Sequence, residues 1–223
     1  MLCALLQFMS TVAVATLVHL VAMLASGRLA GLLPVEFVYG LGPQLLGLQI
    51  GPIRLGIRAL LVGGFVRYAG SEDEPGPPGQ MTLESCPLAI RAAVELSGCA
   101  LLFAVGGFLL GLDRASRELW LGFAQVTRGV VSPSGAVEMC GDAIATLISA
   151  TWTTSLGLVA VKMAAVNLLP LPPSNGGNAL LAICAAALDI RRSTRRRVVV
   201  VGLCGIIGVW GAWLLALIRV VSG

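Results

Sequence analysis

The chain has 223 residues, of which 57% are hydrophobic and only 12% charged, and its mean hydropathy is +0.92. Soluble domains carry about 25% charged residues, so this composition excludes an ordinary soluble domain and indicates an integral membrane protein. The formal net charge of +4 is small, and the positions of the charges are more informative than their sum.

Four apolar segments predict four membrane-spanning helices within one membrane domain, residues 1–223. A helix of about 20 residues crosses a hydrocarbon core of about 30 Å, and a lipid-facing backbone must satisfy its own hydrogen bonds. The expected spans are 2–27, 87–112, 143–169 and 198–220. The first segment lacks the basic start and the small-residue cleavage site of a signal peptide, which favours an uncleaved span.

The segment after the first span predicts β-structure. Residues 53–68 alternate between two faces and follow a Gly51-Pro52 turn, so residues 35–69 are expected to form a β-hairpin or small sheet. This region is too apolar for an ordinary loop, and we expect it to associate with the membrane. The acidic, Pro- and Gly-rich residues 71–84 predict a flexible linker. The expected fold class is therefore an α-helical polytopic membrane protein with a membrane-associated β-hairpin.

Three features are predicted in the second half of the chain. Residues 117–128 place apolar side chains at helical spacing, which indicates an amphipathic interfacial helix with Trp120 at the headgroups. Residues 178–188 are apolar but too short to span comfortably. A glycine at every third position of the last span predicts a surface for close helix packing, within the chain or with a partner subunit. These glycines are Gly202, Gly205, Gly208 and Gly211.

Basic residues predict the orientation in the membrane. Five arginines lie in residues 28–91, three in 113–142 and five in 191–197. By the positive-inside rule, the first and third connections face the cytoplasm and both termini lie outside. Beside a membrane span, the cluster at 191–197 is better explained by contact with anionic lipid than with nucleic acid. The six cysteines form no CxxC pair, and we expect no disulfide framework.

Several motifs together resemble the site-2 proteases, the zinc intramembrane metalloprotease family. Asn167, Pro170, Pro172, Asn175 and Gly176-Gly177 follow the pattern of the family's third span, which ends in Asp-Gly. Glu36-Phe37, Gly42-Pro43 and Gly63-Gly64 resemble the segment around the family's membrane-embedded hairpin, and Arg128-Gly129 resembles the segment before its third span. The resemblance covers nearly the whole chain, although residues 113–142 are too few for the PDZ domain that many members carry.

The resemblance places four residues on the family's functional positions. The family's HExxH motif provides two zinc ligands one helical turn apart and a glutamate that is the general base, and an aspartate of the third span is the third ligand. In this chain the positions correspond to His19, Leu20, Met23 and Asn175, and His19 is the only histidine. Three of the four functional groups are replaced, so we expect no bound metal, no cofactor and no hydrolysis by the family's mechanism. His19 is then a buried neutral imidazole or, alternatively, a proton-responsive site.

Two charged residues inside predicted spans raise a further hypothesis. A lysine at mid-span costs about 2.5–3.5 kcal/mol on insertion scales, so it is normally paired or faces a cavity. We expect Lys162 either to pair with Glu95 and stand in the electrostatic place of the metal, or to snorkel to the interface.

The function expected from these observations is binding rather than catalysis. A pseudoprotease of the bacterial cytoplasmic membrane would act as a scaffold, a regulator of an active protease or an accessory subunit, with another membrane protein and the lipid bilayer as partners. Two alternatives stay open: a zinc protease with atypical ligands, and a small transport or proton-linked component that uses His19, Lys162 and Glu95.

Overall fold

The computed structural model describes residues 2–70, 81–83, 85–188 and 190–222, and it is predominantly helical. The predicted linker at 71–84 falls almost entirely outside these residues. The described elements, in chain order, are α1 (Leu2–Leu29), β1 (Pro34–Ile50), β2 (Ile53–Tyr68), α2 (Leu88–Leu110), α3 (Leu112–Val131), α4 (Pro133–Ser149), α5 (Trp152–Asn167), α6 (Asn175–Leu188) and α7 (Arg192–Ser222).

Three of the described helices are long and apolar enough to cross a membrane: residues Leu5–Leu29 of α1, Leu88–Leu110, and Ser193–Ser222 of α7. They agree with the first, second and fourth predicted spans. The third predicted span, 143–169, is wrong as one continuous helix, because the structure divides it between α4 and α5. The division has a local cause: Thr151 is the N-cap of α5, and its side chain accepts a hydrogen bond from the backbone N–H of Thr154.

Helix α5 lies at the centre of the fold, in contact with α1, α2 and α3. Its buried face is made of small residues, Ala160 and Ala164, which pack with Ala15 of α1 and Leu102 of α2. Small side chains let helix backbones approach closely, which favours packing inside a membrane. This core fixes the positions of α1 and α2, which carry most of the site described below.

A second cluster joins α4 to α7. Ala136 and Cys140 of α4 are buried against Ala216, and Trp213 packs on the same cluster. The stretch between α2 and α5, residues 111–151, forms the two helices α3 and α4 with their caps. Trp120 of the predicted interfacial helix is 73% exposed on α3, and its position at the headgroups stays a prediction.

The predicted hairpin is present, and its two strands meet at the Gly51-Pro52 turn. Residues 53–57 pair antiparallel with 46–50. Residues 36–39 pair twice: antiparallel with 64–67, and with 54–57 in a register that ascends along both segments. The two strands thus fold back into a small four-segment sheet that packs on α1.

Glycines make this folding possible. A φ well above zero is accessible to glycine but rarely to other residues, and both strands carry such glycines where they bend. These are Gly40 (φ 99°) and Gly42 (φ 89°) in β1, and Gly63 (φ 72°) and Gly64 (φ 145°) in β2. The outer half of the hairpin, residues 41–50, is exposed throughout and includes Leu45 and Ile50. Its association with the membrane stays a prediction.

Candidate functional site

A cavity of about 270 Å³ lies where α1, α2, α5 and α6 converge under β2. The residues singled out from the sequence on α1 and α6, His19, Leu20, Met23 and Asn175, all line it. Glu95 of α2 and Asn167 of α5 line the same cavity. The structure therefore brings together six candidate residues from four helices, whereas the other two candidates, Lys162 and Gly176, do not line the cavity.

Helix α1 contributes Thr16, His19, Leu20 and Met23 to the cavity. His19 and Met23 are one turn apart, so they share a helix face, and His19 is buried. The His19 ring fits against α2 only because residue 98 is glycine: a Cβ there would lie 2.4 Å from His19 Nδ1. Leu20 is 2% exposed and faces the sheet, where a Cβ on Gly64 would lie 2.8 Å from Leu20 Cδ1.

Asn175 connects three helices from the first turn of α6. Its Nδ2 donates to the backbone carbonyl of Glu95 in α2, at 2.8 Å, and lies 3.3 Å from Sδ of Met23 in α1. Gly176 allows the tight turn that places it, because a Cβ at that residue would lie 2.3 Å from the carbonyl oxygen of Leu168. The position predicted as a lost metal ligand is thus a hydrogen-bond donor that joins α6 to α1 and α2.

The expected pairing of Lys162 with Glu95 is wrong. Lys162 Nζ lies 2.7 Å from Glu118 Oε2 of α3 and donates to the backbone carbonyl of the same residue at 3.0 Å. Both side chains are less than one third exposed, so Lys162 is paired, although with Glu118 and not with Glu95; whether it reaches the membrane interface stays a prediction. Glu95 of α2 is 7% exposed and lines the cavity, whereas Lys162 does not line it. The lysine therefore holds α3 against α5 and supplies no charge to the cavity.

Tyr68 is a part of the site that the sequence reasoning missed. Its hydroxyl donates to the carbonyl oxygen of Met23 at 2.6 Å, which fastens the end of β2 to α1 one turn beyond His19. Burial raises the pKa of the Tyr68 phenol, and the nearby Glu95 adds to the shift, so the hydroxyl stays protonated and remains a donor. An available signal was the tyrosine at the end of β2, directly after Arg67.

The donors in the cavity do not fit zinc. Zinc in proteins favours thiolate, imidazole and carboxylate ligands in a set of three or four. Here the corresponding positions offer an imidazole, a thioether and an amide. Within the described part of the chain, no group of three His, Cys, Asp or Glu side chains is placed to hold a metal ion.

Comparisons with known proteins agree with this architecture. The family model of peptidase family M50 matches residues 4–209. Over 132 residues the chain is 30% identical to an inferred zinc metalloprotease of Synechocystis sp., covering 58% of this chain and 35% of that protein. Over 70 residues it is 39% identical to the zinc metalloprotease RasP of Shouchella clausii, covering 31% of this chain and 17% of RasP.

A third similarity is to an inferred zinc metalloprotease of Clostridium perfringens, 38% identical over 71 residues, which are 32% of this chain and 20% of that protein. The chain thus spans about a third or less of the length of these relatives.

Proposed function

The chain belongs to peptidase family M50, the site-2 proteases, and from this premise we propose that it is a non-catalytic member that acts by binding. It is an integral membrane protein, and we place it in the bacterial cytoplasmic membrane as a scaffold, a regulator of an active protease or an accessory subunit. The proposal rests on what the residues at the family's functional positions can and cannot do.

Hydrolysis by the family's mechanism needs a general base beside the first histidine. Residue 20, at that position, is a leucine buried between α1 and the sheet. A leucine side chain accepts no proton, and its close approach to Gly64 leaves it packed against backbone and side-chain atoms. The missing base argues against hydrolysis whether or not a metal binds.

The observation that carries the proposal is the contact made by Asn175. In the family this position is a carboxylate that binds the metal, whereas here the amide donates to Glu95 O and approaches Met23 Sδ. Both neighbours are acceptors, so the position requires a donor and disfavours a carboxylate. A hydrogen-bonded contact thereby joins α1, α2 and α6 at the position where the family has a metal ligand.

A member of the family without catalysis needs a partner to act on. The surface available for one includes α7, of which only 6% is buried in the most apolar window. Three of its four evenly spaced glycines, Gly205, Gly208 and Gly211, face open space, whereas Gly202 is packed on Pro172. We propose that another membrane protein contacts this face of α7, with lipid around the rest.

The first experiment measures zinc in the protein purified in mild detergent. We expect no zinc above a His19→Ala control. The restored variant Leu20→Glu/Met23→His/Asn175→Asp supplies the family's ligands and base and removes the Met23 acceptor beside residue 175, so it should bind more zinc than the wild type. About one zinc per wild-type chain, lost in His19→Ala and accompanied by cleavage of a membrane-embedded peptide, would show an atypical protease instead.

The second experiment identifies the mode of action. Affinity purification from membranes should recover a stable complex with another membrane protein, and His19→Ala should leave that complex intact. Proton or solute flux in proteoliposomes that disappears in Lys162→Met, with no co-purifying protein, would contradict the proposal and favour the transport alternative.

A further inference from the structure

Two thioether side chains and one imidazole line the cavity, and the proposed function assigns no ligand to them. His19 and Met23 line the cavity from α1, and Met163 lines it from α5. Both methionines are partly buried, and both line the same 270 Å³ space as the histidine. All three side chains therefore line the same cavity, two from α1 and one from α5.

The orientation of the His19 ring determines which nitrogen is available. The atoms that a Cβ on Gly98 would meet are Nδ1, Cε1 and Cγ, at 2.4, 2.5 and 2.9 Å, so this edge of the ring lies against α2. Nδ1 is buried and has no hydrogen-bond partner among the described residues. Nε2 is on the opposite side of the ring, away from α2, and it is the atom that a ligand in the cavity would meet.

The donor types select the ligand. Thioether sulfur is a soft ligand that favours Cu(I), whereas hard or borderline divalent ions favour carboxylate, thiolate and several imidazoles. We propose that His19, Met23 and Met163 form a binding site for a soft monovalent metal ion, Cu(I). At the position of Met23 the family has a histidine that binds zinc. The thioether that replaces it is a poor ligand for zinc and a good ligand for Cu(I).

The hydrogen bond from Asn175 is compatible with this site. A thioether sulfur has two lone pairs, so Met23 Sδ can accept from Asn175 Nδ2 with one and bind a metal with the other. The unbranched methionine side chains adapt to the geometry that the ion requires. The site goes beyond the proposed function, since it needs no partner and no catalysis.

The test is a competition between the purified chain and a chromophoric Cu(I) chelator under anaerobic, reducing conditions. Thiols also bind Cu(I), so the background carries serine at the three cysteines that are not buried, Cys3, Cys184 and Cys204. We expect one Cu(I) per chain, with X-ray absorption showing sulfur and imidazole scattering. Met23→Leu and Met163→Leu, each close to volume-conserving, should weaken binding by at least about tenfold, as expected for the loss of a metal contact.

Met81→Leu is the matched control, because Met81 is 43% exposed and does not line the cavity. It should leave Cu(I) affinity unchanged. Equal thermal stability of the three methionine variants shows that any loss of affinity is not a loss of fold. The proposal is overturned if the chelator removes all copper, or if the two cavity variants bind Cu(I) as tightly as Met81→Leu. Neither outcome affects the proposed function, which depends on zinc content and proteolysis.

Discussion

Gly98 positions the only histidine by having no side chain of its own. The His19 ring occupies the space that a Cβ at residue 98 would need. Any larger residue there must displace either the ring or the α1–α2 contact, and packed interiors tolerate such insertion poorly. The geometry of the cavity therefore depends on a residue that contributes no donor to it.

We predict that Gly98→Ala lowers the free energy of unfolding by about 1–3 kcal/mol, the usual cost of overpacking. Thermal unfolding of the purified protein in detergent measures the effect. Gly141→Ala is the control, because residue 141 lies in α4 with open space around it. Alanine there should be neutral or stabilise by up to about 1 kcal/mol. Equal melting temperatures for the two variants would show that His19 does not depend on Gly98.

At the scale of single residues, the sequence predicted which side chains meet but not how they bond. The helical spacing of His19 and Met23 and the family pattern around Asn175 were sufficient to place these residues together. The Asn175–Glu95 hydrogen bond depends on how the turn before α6 approaches α2, which no local pattern encodes. Lys162 was assigned to the wrong carboxylate, because Glu95 lies inside a predicted span and Glu118 does not. Which of the two Lys162 reaches depends on how α3 packs on α5, and no local sequence pattern predicts that packing.

At the scale of the elements, the pair Lys162–Glu118 fastens the amphipathic helix α3 to the core helix α5. We predict that a double-mutant cycle with Lys162→Met and Glu118→Gln gives a coupling energy of about 1 kcal/mol, the upper end for exposed pairs. These side chains are 29% and 23% exposed, so screening by solvent is incomplete. The matching cycle of Lys162→Met with Glu95→Gln should give no coupling. The reverse pattern would reinstate the pairing that the sequence suggested.

The glycines of α7 have unequal roles although their spacing is regular. A Cβ on Gly202 would lie 2.0 Å from the carbonyl oxygen of Pro172, whereas Gly208 has nothing within 4 Å. We predict that Gly202→Ala destabilises the isolated chain by about 1–3 kcal/mol and that Gly208→Ala does not. Thermal unfolding in detergent compares them. A destabilised Gly208→Ala protein would mean that α7 packs differently from the arrangement described.

Hydropathy and alternation located most elements, because apolar runs and a period of two reflect burial directly. They did not reveal the division between α4 and α5. The residues at this break, Ala150 and Thr151, are as compatible with an apolar window as their neighbours, and the break arises from the Thr151 cap. Similarly, the alternation predicted the hairpin, whereas its return into four segments depends on glycines with positive φ.

At the scale of the whole molecule, we predict that both termini lie outside the cytoplasm, which requires α5 to complete a fourth crossing beside α1, α2 and α7. The five arginines of 191–197 directly precede the apolar part of α7 and should hold its beginning inside. A periplasm-active reporter fused after residue 223 should be active, and one inserted in the predicted linker, residues 71–84, should be inactive. Replacing the five arginines with glutamine should reduce the activity of the first fusion. An active reporter in the linker would reverse the orientation.

The central position of α5 has a consequence for how the protein is made. Its 16 residues extend about 24 Å, less than the hydrocarbon thickness, and it carries Lys162. Alone, it is a poor substrate for membrane insertion. The helices that accept it, α1 and α2, are synthesised earlier, and Glu118, which neutralises its lysine, also precedes it. We therefore expect α5 to enter the bilayer only against helices already there, so that the order of synthesis is also the order of assembly.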